Sequence, residues 1–258
     1  MPSILNNVRR WKQTYDWSNR GTEWCDGFGG VEKAWTHAIL PRIETFLPTG
    51  HILELGPGYG VWTDFLQPFP PSGQSPLSER MTLVDLAPNC IKFCRKRFGK
   101  PNMAYHTNDG TSLSMVELGS IDFVFSFNSL VHADHAVMRE YVRQLGTKMK
   151  PGSFGFIHHS NLGEYEAEFD AMEKGHDHWR GRDMTGEKFR ADCRDAGLVC
   201  VFQEIIPWGS PRFIDALSLF AKPLPGQELP ERVERNPDFW HQARAGDHAP
   251  AAWYVRPT

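Results

Sequence analysis

Long apolar runs and clustered basic charge are both missing from this 258-residue sequence. No stretch of about 18 apolar residues occurs, and the opening MPSILNNVRRWKQ has no apolar core of the signal-peptide kind, so neither membrane insertion nor secretion is indicated. Lys and Arg number 28 against 31 for Asp and Glu and are scattered, which leaves no basic stripe for a nucleic acid. We expect a cytoplasmic protein with neither a membrane nor a nucleic-acid partner.

Cysteine is scarce as well. The chain has five cysteines, an odd number, and none of them falls in a CxxC motif. Cys90 and Cys94 are spaced as i and i+4, which favours packing on one helix face over metal ligation. We therefore expect free thiols and no resident metal.

Strand-like and helical stretches alternate along the chain. Seven short apolar runs bounded by turn residues predict strands at 51–55, 81–86, 103–108, 121–127, 153–159, 199–206 and 215–222. Helical periodicity fills most of the gaps, and each parallel pair of strands requires a crossover, so the pattern predicts an α/β fold with a mainly parallel sheet and helices on both faces. Only PWGSPRFI joins the final two strands, so one of them is expected to run antiparallel at the edge.

Composition divides the chain into three units. Residues 1–47 are helical and rich in aromatics, which predicts a cap or lid, and residues 48–222 carry the sheet. Residues 223–258 are rich in proline, which predicts an extended arm that closes the site or grips the second subunit of a homodimer. Residues 68–80 have no periodicity and predict an exposed loop.

A glycine-rich loop follows the first predicted strand. In HILELGPGYGVW, Gly56, Gly58 and Gly60 come directly after the apolar run, where an open α/β sheet binds its ligands. The nicotinamide pattern G-x-G-x-x-G needs a third glycine where Val61 stands, so a dinucleotide of that kind is disfavoured. Loops of this composition also serve simply as tight turns.

Two carboxylates follow the next two strands. Asp85, in LVDLAP, can accept both hydrogen bonds from a ribose diol, although a helix-capping role is the alternative. Asp109, in Asn108-Asp109-Gly110, can accept from an adenine amine, although an Asx-turn is the alternative. A glycine loop and two acids in this order on adjacent strands indicate one site for a ligand that contains adenosine.

These motifs resemble class I S-adenosylmethionine-dependent methyltransferases. ILELGPGYG, LVDLAP, HTNDG and IDFVFSFNSLVHAD carry the resemblance, which covers roughly residues 50–222. It implies a Rossmann-like sheet of seven strands with the last antiparallel, and S-adenosylmethionine as the cofactor. The cofactor residues that it implies are Glu54, Gly56, Gly58, Gly60, Asp85, Leu86, Asn108, Asp109, Gly110, Ser126, Phe127 and Asn128. The long 68–80 insertion departs from the family's spacing without disturbing either motif.

Histidine is the candidate base for methyl transfer to oxygen. SFNSLVHADH places His132 and Asp134 near the sulfonium, and FIHHSN places His158 and His159 along the acceptor pocket. We predict His132 as general base, with Asp134 or a strand-five histidine orienting either His132 or the substrate. The alternatives are a His132 bonded only to backbone, a strand-five histidine that is structural because the two point to opposite faces, and a histidine-rich zinc site.

Aromatic and polar residues outside the core are candidates for the acceptor site. Tyr15, Trp17 and Trp24 are predicted as lid residues, whereas Trp11 and Trp35 are expected to be packed anchors. Asn161, Trp179 and Arg180 are predicted to contact the acceptor, with Arg180 binding a carboxylate or phosphate. The alternatives are an ordinary packed helix and a solvated loop.

The sequence predicts a methyltransferase that acts on oxygen of a small hydroxylated metabolite or sugar. EWCDGFGG, LPRIETFLP and FIHHSNLG resemble bacterial enzymes of sugar or secondary-metabolite O-methylation. Three alternatives stay open: a cyclase or lyase that releases methylthioadenosine, a non-catalytic partner that binds the cofactor, and an NAD-dependent oxidoreductase.

Overall fold

The structure, a computed structural model, describes residues 3–70, 74–171 and 179–246, without the side chains of 170 and 171. The last twelve residues of the predicted arm, 247–258, and part of the predicted 68–80 loop therefore lie outside the described residues. The division into three units at residues 47 and 222 stays a prediction.

Eight strands form one mixed sheet in the described part of the chain. Their bounds are Thr49–Leu55 (β1), Ser78–Asp85 (β2), Met103–Thr107 (β3), Ile121–Ser126 (β4), Met149–Ser160 (β5), Val199–Ile206 (β6), Asp215–Ala221 (β7) and Val233–Arg235 (β8). The strand order is β3-β2-β1-β4-β5-β7-β6-β8. The first five strands pair in parallel, and β7 runs antiparallel to both β5 and β6. The Rossmann-like class and the antiparallel last predicted strand are confirmed.

The predicted strand count was one too low. β8 lies in the segment predicted to be an extended arm, and it pairs in parallel with β6, with Val233 opposite Gln203. This strand is only three residues long and two of them are exposed. Because the core does not bury it on both faces, it lacks the apolar run by which the other strands were recognised.

The central strands are apolar because helices cover both of their faces. Ile52, Phe123 and Phe125 face one apolar cluster, whereas Leu53 and Val124 face the other. Successive side chains of a strand point to opposite faces, so a strand buried on both sides reads as a continuous apolar run. This explains why these strands could be predicted from the sequence.

Helices connect the strands, and several are short or irregular. The α-helices are Ile4–Arg9 (α1), Val31–Lys33 (α2), Leu40–Ile43 (α3), Thr63–Leu66 (α4), Pro88–Phe98 (α5), His135–Lys148 (α6), Gly186–Asp195 (α7) and Phe239–Ala245 (α8). The segments Arg10–Thr14 and Ala34–Ile39 are π-helical. Short 3₁₀ helices occur at Thr22–Phe28, Glu44–Phe46, Leu130–His132 and Leu162–Ala171. Thr185 caps α7 by accepting a hydrogen bond from the Lys188 amide at 3.1 Å.

Chain-terminal segments pack onto the sheet. The Phe28 ring lies 4.8 Å from the Trp240 ring, so the N-terminal segment and α8 share one apolar cluster. Arg42 in α3 forms a buried ion pair with Glu204 in β6.

The five cysteines are free and buried, and no helix in the described ranges is both long and apolar enough to cross a bilayer.

Candidate active site

A pocket lies at the carboxyl ends of β1, β2 and β4, beneath the N-terminal segment. Its volume is about 1090 Å³, including the part open to solvent. Gly58, Asp85 and His132 line it from the sheet side. The N-terminal segment contributes Ile4, Asn7, Trp11, Trp17, Arg20 and Trp24. The sequence-predicted loop and the predicted lid therefore enclose one space.

The glycine loop has no room for side chains. Gly58 has φ +55°, and a Cβ there would lie 3.0 Å from Cη2 of Trp17. At Gly56, which has φ +68°, a Cβ would lie 1.8 Å from Oγ of Ser129. Gly60 contacts the Phe98 ring of α5 and does not line the pocket. Gly56 and Gly58 thus leave bare main chain facing the pocket.

Asp85 joins the loop to the end of β2. Its Oδ2 accepts from the Gly58 amide at 3.1 Å, and its Oδ1 accepts from the Ala87 amide at 2.8 Å. Burial raises the pKa of this carboxyl to about 6. An ionised carboxylate has about four acceptor positions, and the amides of Gly58, Ala87 and Leu86 use up to three of them, so at least one remains for a ligand hydroxyl.

The segment after β3 contributes only Gly110 to the pocket lining, with Leu86 beside it. Asp109 is exposed, and its Oδ1 accepts from the amides of Thr111 and Ser112 in an Asx-turn. The Ser112 amide is the main cause that lowers the pKa of Asp109. Asn108 donates to the Ser112 carbonyl and to Tyr141 Oη, and it does not line the pocket.

Unpaired polar atoms lie near the loop. Nδ2 of Asn128 is sealed from solvent and has no hydrogen-bond partner among the described residues, and Asn128 lines the pocket. Oε1 of Glu54 also lacks a partner in the described part of the chain, and burial raises the pKa of Glu54 to about 8. Oε2 of Glu54 accepts from Thr63 Oγ1 at 2.6 Å. Ser126 donates to the Leu55 carbonyl and lies outside the lining, whereas Phe127 belongs to it.

His132 presents a neutral imidazole to the pocket. Its Nδ1 lies 2.6 Å from the Trp179 carbonyl oxygen. A carbonyl only accepts, so Nδ1 carries the hydrogen and Nε2 keeps its lone pair. Among the described residues the ring hydrogen-bonds only through Nδ1, and burial lowers the pKa of His132 to about 3.

Aromatic rings of the N-terminal segment cover the loop and His132. Trp17 stacks on Tyr59 with ring centroids 4.4 Å apart, and its Nε1 donates to the Trp11 carbonyl. The Trp11 ring lies 5.0 Å from the His132 ring. Trp24 lines the pocket, and its Nε1 donates to Tyr15 Oη. Tyr15 in turn hydrogen-bonds to Glu23, and neither of these two residues lines the pocket.

The comparisons with known proteins agree with this geometry. Residues 52–152, which span β1 through the start of β5, match the family model described as a methyltransferase domain. These residues form a methyltransferase domain. No curated protein matches the chain.

Solved structures share the fold of the methyltransferase domain and its flanks. The N-methyltransferase NodS of Bradyrhizobium japonicum, in complex with S-adenosyl-L-homocysteine, is 15% identical, with 85% of this chain and 98% of that chain covered and a TM-score of 0.57. A SAM-dependent methyltransferase of Leishmania major is 10% identical over 84% and 82%, also with a TM-score of 0.57. The PH0226 protein of Pyrococcus horikoshii is 14% identical over 85% and 98%, with a TM-score of 0.55.

S-adenosylmethionine is the cofactor that a methyltransferase domain implies. The residues present fit it. The bare main chain at Gly56 and Gly58, the remaining acceptor positions of Asp85 and the unpaired amide of Asn128 can all receive polar groups of an amino-acid nucleoside.

The prediction that Asp134, His158 or His159 orients His132 is wrong, because the Trp179 carbonyl does so. Asp134 lines the pocket, but its side chain caps α6 by accepting from the Val137 amide at 3.0 Å. His158 and His159 are fully buried on opposite faces of β5 and lie outside the lining of the pocket. His158 bonds Asp215, whereas His159 bonds Ser218 and stacks on Phe189. The alternative of a histidine-rich zinc site finds no support, since the described ranges contain no cluster of three or more potential metal ligands.

Asn161 and Arg180 do not contact the pocket, contrary to the prediction. In the interior, Asn161 Oδ1 accepts from the Gly186 amide, and Asn161 Nδ2 donates to the Phe213 carbonyl. The Arg180 guanidinium pairs with Asp215, so it is not directed at an acceptor anion. Trp179 contributes its carbonyl to His132, and its indole Nε1 donates to Asn7 Oδ1 at 2.9 Å.

Sequence reasoning missed Asn7 and Trp11. Asn7 Nδ2 donates to the His132 carbonyl at 2.9 Å, so one side chain ties α1 to both His132 and Trp179. No motif marks an asparagine for such a role across more than a hundred residues. Trp11 was expected to be a packed anchor, as Trp35 is against Phe65, but it lines the pocket.

Proposed function

We propose that this chain transfers the methyl group of S-adenosylmethionine to a hydroxyl oxygen of a small molecule, a hydroxylated metabolite or a sugar, with His132 as the general base. One observation carries the proposal: the imidazole of His132 holds its hydrogen on Nδ1, toward the Trp179 carbonyl, and leaves Nε2 without a partner beside the pocket. A neutral imidazole with a free Nε2 is the form that accepts a proton.

We assign the cofactor to the loop and to the ends of β2 and β3. We assign the amino-acid part to the main chain of Gly56 and Gly58, and the ribose to Asp85. Leu86 and Gly110 line the end of the pocket assigned to adenine. Asp109 lies outside the lining but is adjacent to Gly110, and we assign its carboxylate to the adenine amine.

The bound cofactor supplies an activated methyl group for an in-line displacement. The protein's task is then orientation and the exclusion of water. The rings of Trp11, Trp17 and Trp24 enclose the pocket from the N-terminal side, and a partly closed space of this kind suits a small acceptor.

His132 is a weak base, and this matches the timing of the proton transfer. With a pKa of about 3, its Nε2 stays unprotonated at neutral pH and accepts a hydrogen bond from the acceptor hydroxyl. Transfer would break the S–CH3 bond of the sulfonium, leave S-adenosylhomocysteine as a neutral thioether and make the acceptor oxygen oxonium-like, so that its proton would become strongly acidic. The proton then passes to Nε2 late in the step, when even a weak base accepts it.

The experiment incubates the protein with S-adenosylmethionine and separate panels of phenols, sugars and amines, with mass spectrometry of every product. We expect S-adenosylhomocysteine together with an O-methylated acceptor, and we expect His132→Gln to abolish transfer while cofactor binding persists. Release of methylthioadenosine, or methylation of amines alone by wild type and His132→Gln equally, would contradict the proposal. A cytoplasmic location and a homodimer stay predictions, for which fractionation and light scattering are the tests.

A further inference from the structure

The tripeptide 179–181 lies against the turn that carries His132. The Trp179 carbonyl accepts from His132 Nδ1 at 2.6 Å, and the Gly181 amide donates to the Val131 carbonyl at 2.9 Å. A Cβ on Gly181 would lie 1.9 Å from the Ala133 carbonyl oxygen, so only glycine permits this approach. The position of the tripeptide therefore determines where the acceptor for His132 Nδ1 lies.

Arg180 anchors the tripeptide to the sheet. Its Nε lies 2.5 Å from Oδ1 of Asp215, and its Nη2 lies 2.6 Å from Oδ2. Asp215, the first residue of β7, is fully buried and also bonds His158 Nε2 at 3.0 Å. Ser160, at the end of β5, donates to the Gly181 carbonyl at 2.7 Å. A bidentate pair of this kind fixes the direction of a guanidinium as well as its distance.

Trp179 needs such an anchor because its backbone is strained. It has φ +60°, a left-handed conformation that costs a non-glycine residue about 1 kcal/mol. A residue keeps this conformation only where its surroundings hold it. If the neighbouring Arg180 were released, Trp179 would relax toward a right-handed or extended conformation, and its carbonyl would turn away from His132.

We propose that Arg180 and Asp215 are positioning residues for the general base: their buried ion pair holds the Trp179 carbonyl, which in turn keeps His132 in the Nδ1–H tautomer with Nε2 available. The inference rests on the proposed role of His132. It predicts that loss of the pair changes the tautomer of His132 although neither residue lines the pocket. It also gives these two residues a part in catalysis that a merely stabilising ion pair would not have.

The test reads the tautomer directly and needs no acceptor. Protein labelled with ¹⁵N-histidine is examined by NMR, and the His132 signals are assigned by their loss in His132→Gln. Wild type should show protonated Nδ1 and unprotonated Nε2, Arg180→Met should show a substantial Nε2–H population, and Arg180→Lys should restore part of the wild-type state. Arg42→Met is the matched control, since Arg42 and Glu204 form another buried bidentate pair far from His132 in sequence.

Each outcome decides the proposal. A wild-type tautomer in folded Arg180→Met, or the same tautomer change in Arg42→Met, would overturn the positioning role and leave the proposed function standing. Nε2–H in wild type would overturn the positioning role and the general base together, whatever the acceptor assay shows. If Arg180→Met does not fold, Asp215→Asn replaces it, and a wild-type tautomer in that variant refutes the proposal.

Discussion

Gly58→Ala adds one methyl group where the glycine loop meets Trp17. Gly58 has φ +55°, and the new Cβ would lie 3.0 Å from Trp17 Cη2. Gly119 is a matched control, because it has φ +56° and nothing lies within 4 Å of its Cβ position. The two alanine variants share the backbone strain and differ in what surrounds the methyl group.

The strained backbone should lower the stability of both variants, whereas the added methyl group in the glycine loop should lower the affinity for the cofactor. A left-handed alanine costs about 1 kcal/mol, so both variants should lose a similar amount of stability, a fall in Tm of about 2–4 °C for a chain of this size. Only Gly58→Ala fills the main-chain surface assigned to the methionine part of the cofactor. We expect it to lose at least tenfold in affinity for S-adenosylhomocysteine, about 1.4 kcal/mol, while Gly119→Ala binds as wild type does.

Calorimetric titration and thermal denaturation of the three proteins measure both quantities. Equal affinities for Gly58→Ala and wild type would refute the assignment of the loop to the cofactor. Equal losses of affinity in the two variants would show that backbone strain alone, transmitted through the fold, accounts for the effect.

The remaining predictions concern pH, the base and the lid. The pKa of Asp85 is raised to about 6, so lowering the pH from 7 to 5 should protonate it and weaken cofactor binding about tenfold in calorimetry, and Asp85→Asn should bind weakly at both pH values. The pKa of Glu54 is raised to about 8 in the folded protein, above its value in the unfolded chain, so the folded state loses stability as pH rises toward 8. The free energy of unfolding of Glu54→Gln, measured in urea, should therefore rise relative to that of wild type between pH 5 and 8. A difference between the two proteins that does not change with pH would contradict this. His132→Gln should leave the Kd for cofactor within about twofold and lower kcat at least a hundredfold in the mass-spectrometric assay, the range expected for a general base. Trp17→Ala should speed cofactor release in stopped-flow fluorescence, whereas Trp35→Ala, in the core, should lower Tm and leave release unchanged.

The sheet could be predicted because burial of its strands on both faces produces a recognisable apolar pattern in the sequence. HILEL and IDFVFSF are mostly apolar since helices cover both faces, and the antiparallel β7 followed from a connection too short for a crossover. β8 could not be predicted, because its pairing with β6 depends on a surface edge and its three residues have no apolar run.

The site was predictable where it is built from adjacent residues. The glycine loop and Asp85 form a local motif, and the structure places Gly58 and Asp85 in one hydrogen bond. His158 and His159 were assigned to the site from their position near the end of β5. Strand alternation instead directs the His158 ring against Phe127 and the His159 ring against Phe189, on opposite faces of the sheet.

Contacts made by main chain, or across long sequence separations, leave no mark in the sequence. The partner of His132 is the carbonyl of Trp179, and any residue type supplies a carbonyl. Asn7 reaches His132 across 125 residues, a contact that only the packing of α1 over the sheet creates. Both interactions depend on the tertiary fold and on no local sequence motif.

A crystal structure with S-adenosylhomocysteine tests the central claim most directly. The account predicts the nucleoside and amino-acid parts in the pocket beneath Trp17, with the ribose hydroxyls bonded to Asp85 and the amino-acid part along Gly56 and Gly58. Density for the compound elsewhere, or a ribose held by other residues with Asp85 bonded only to its own backbone partners, would contradict it.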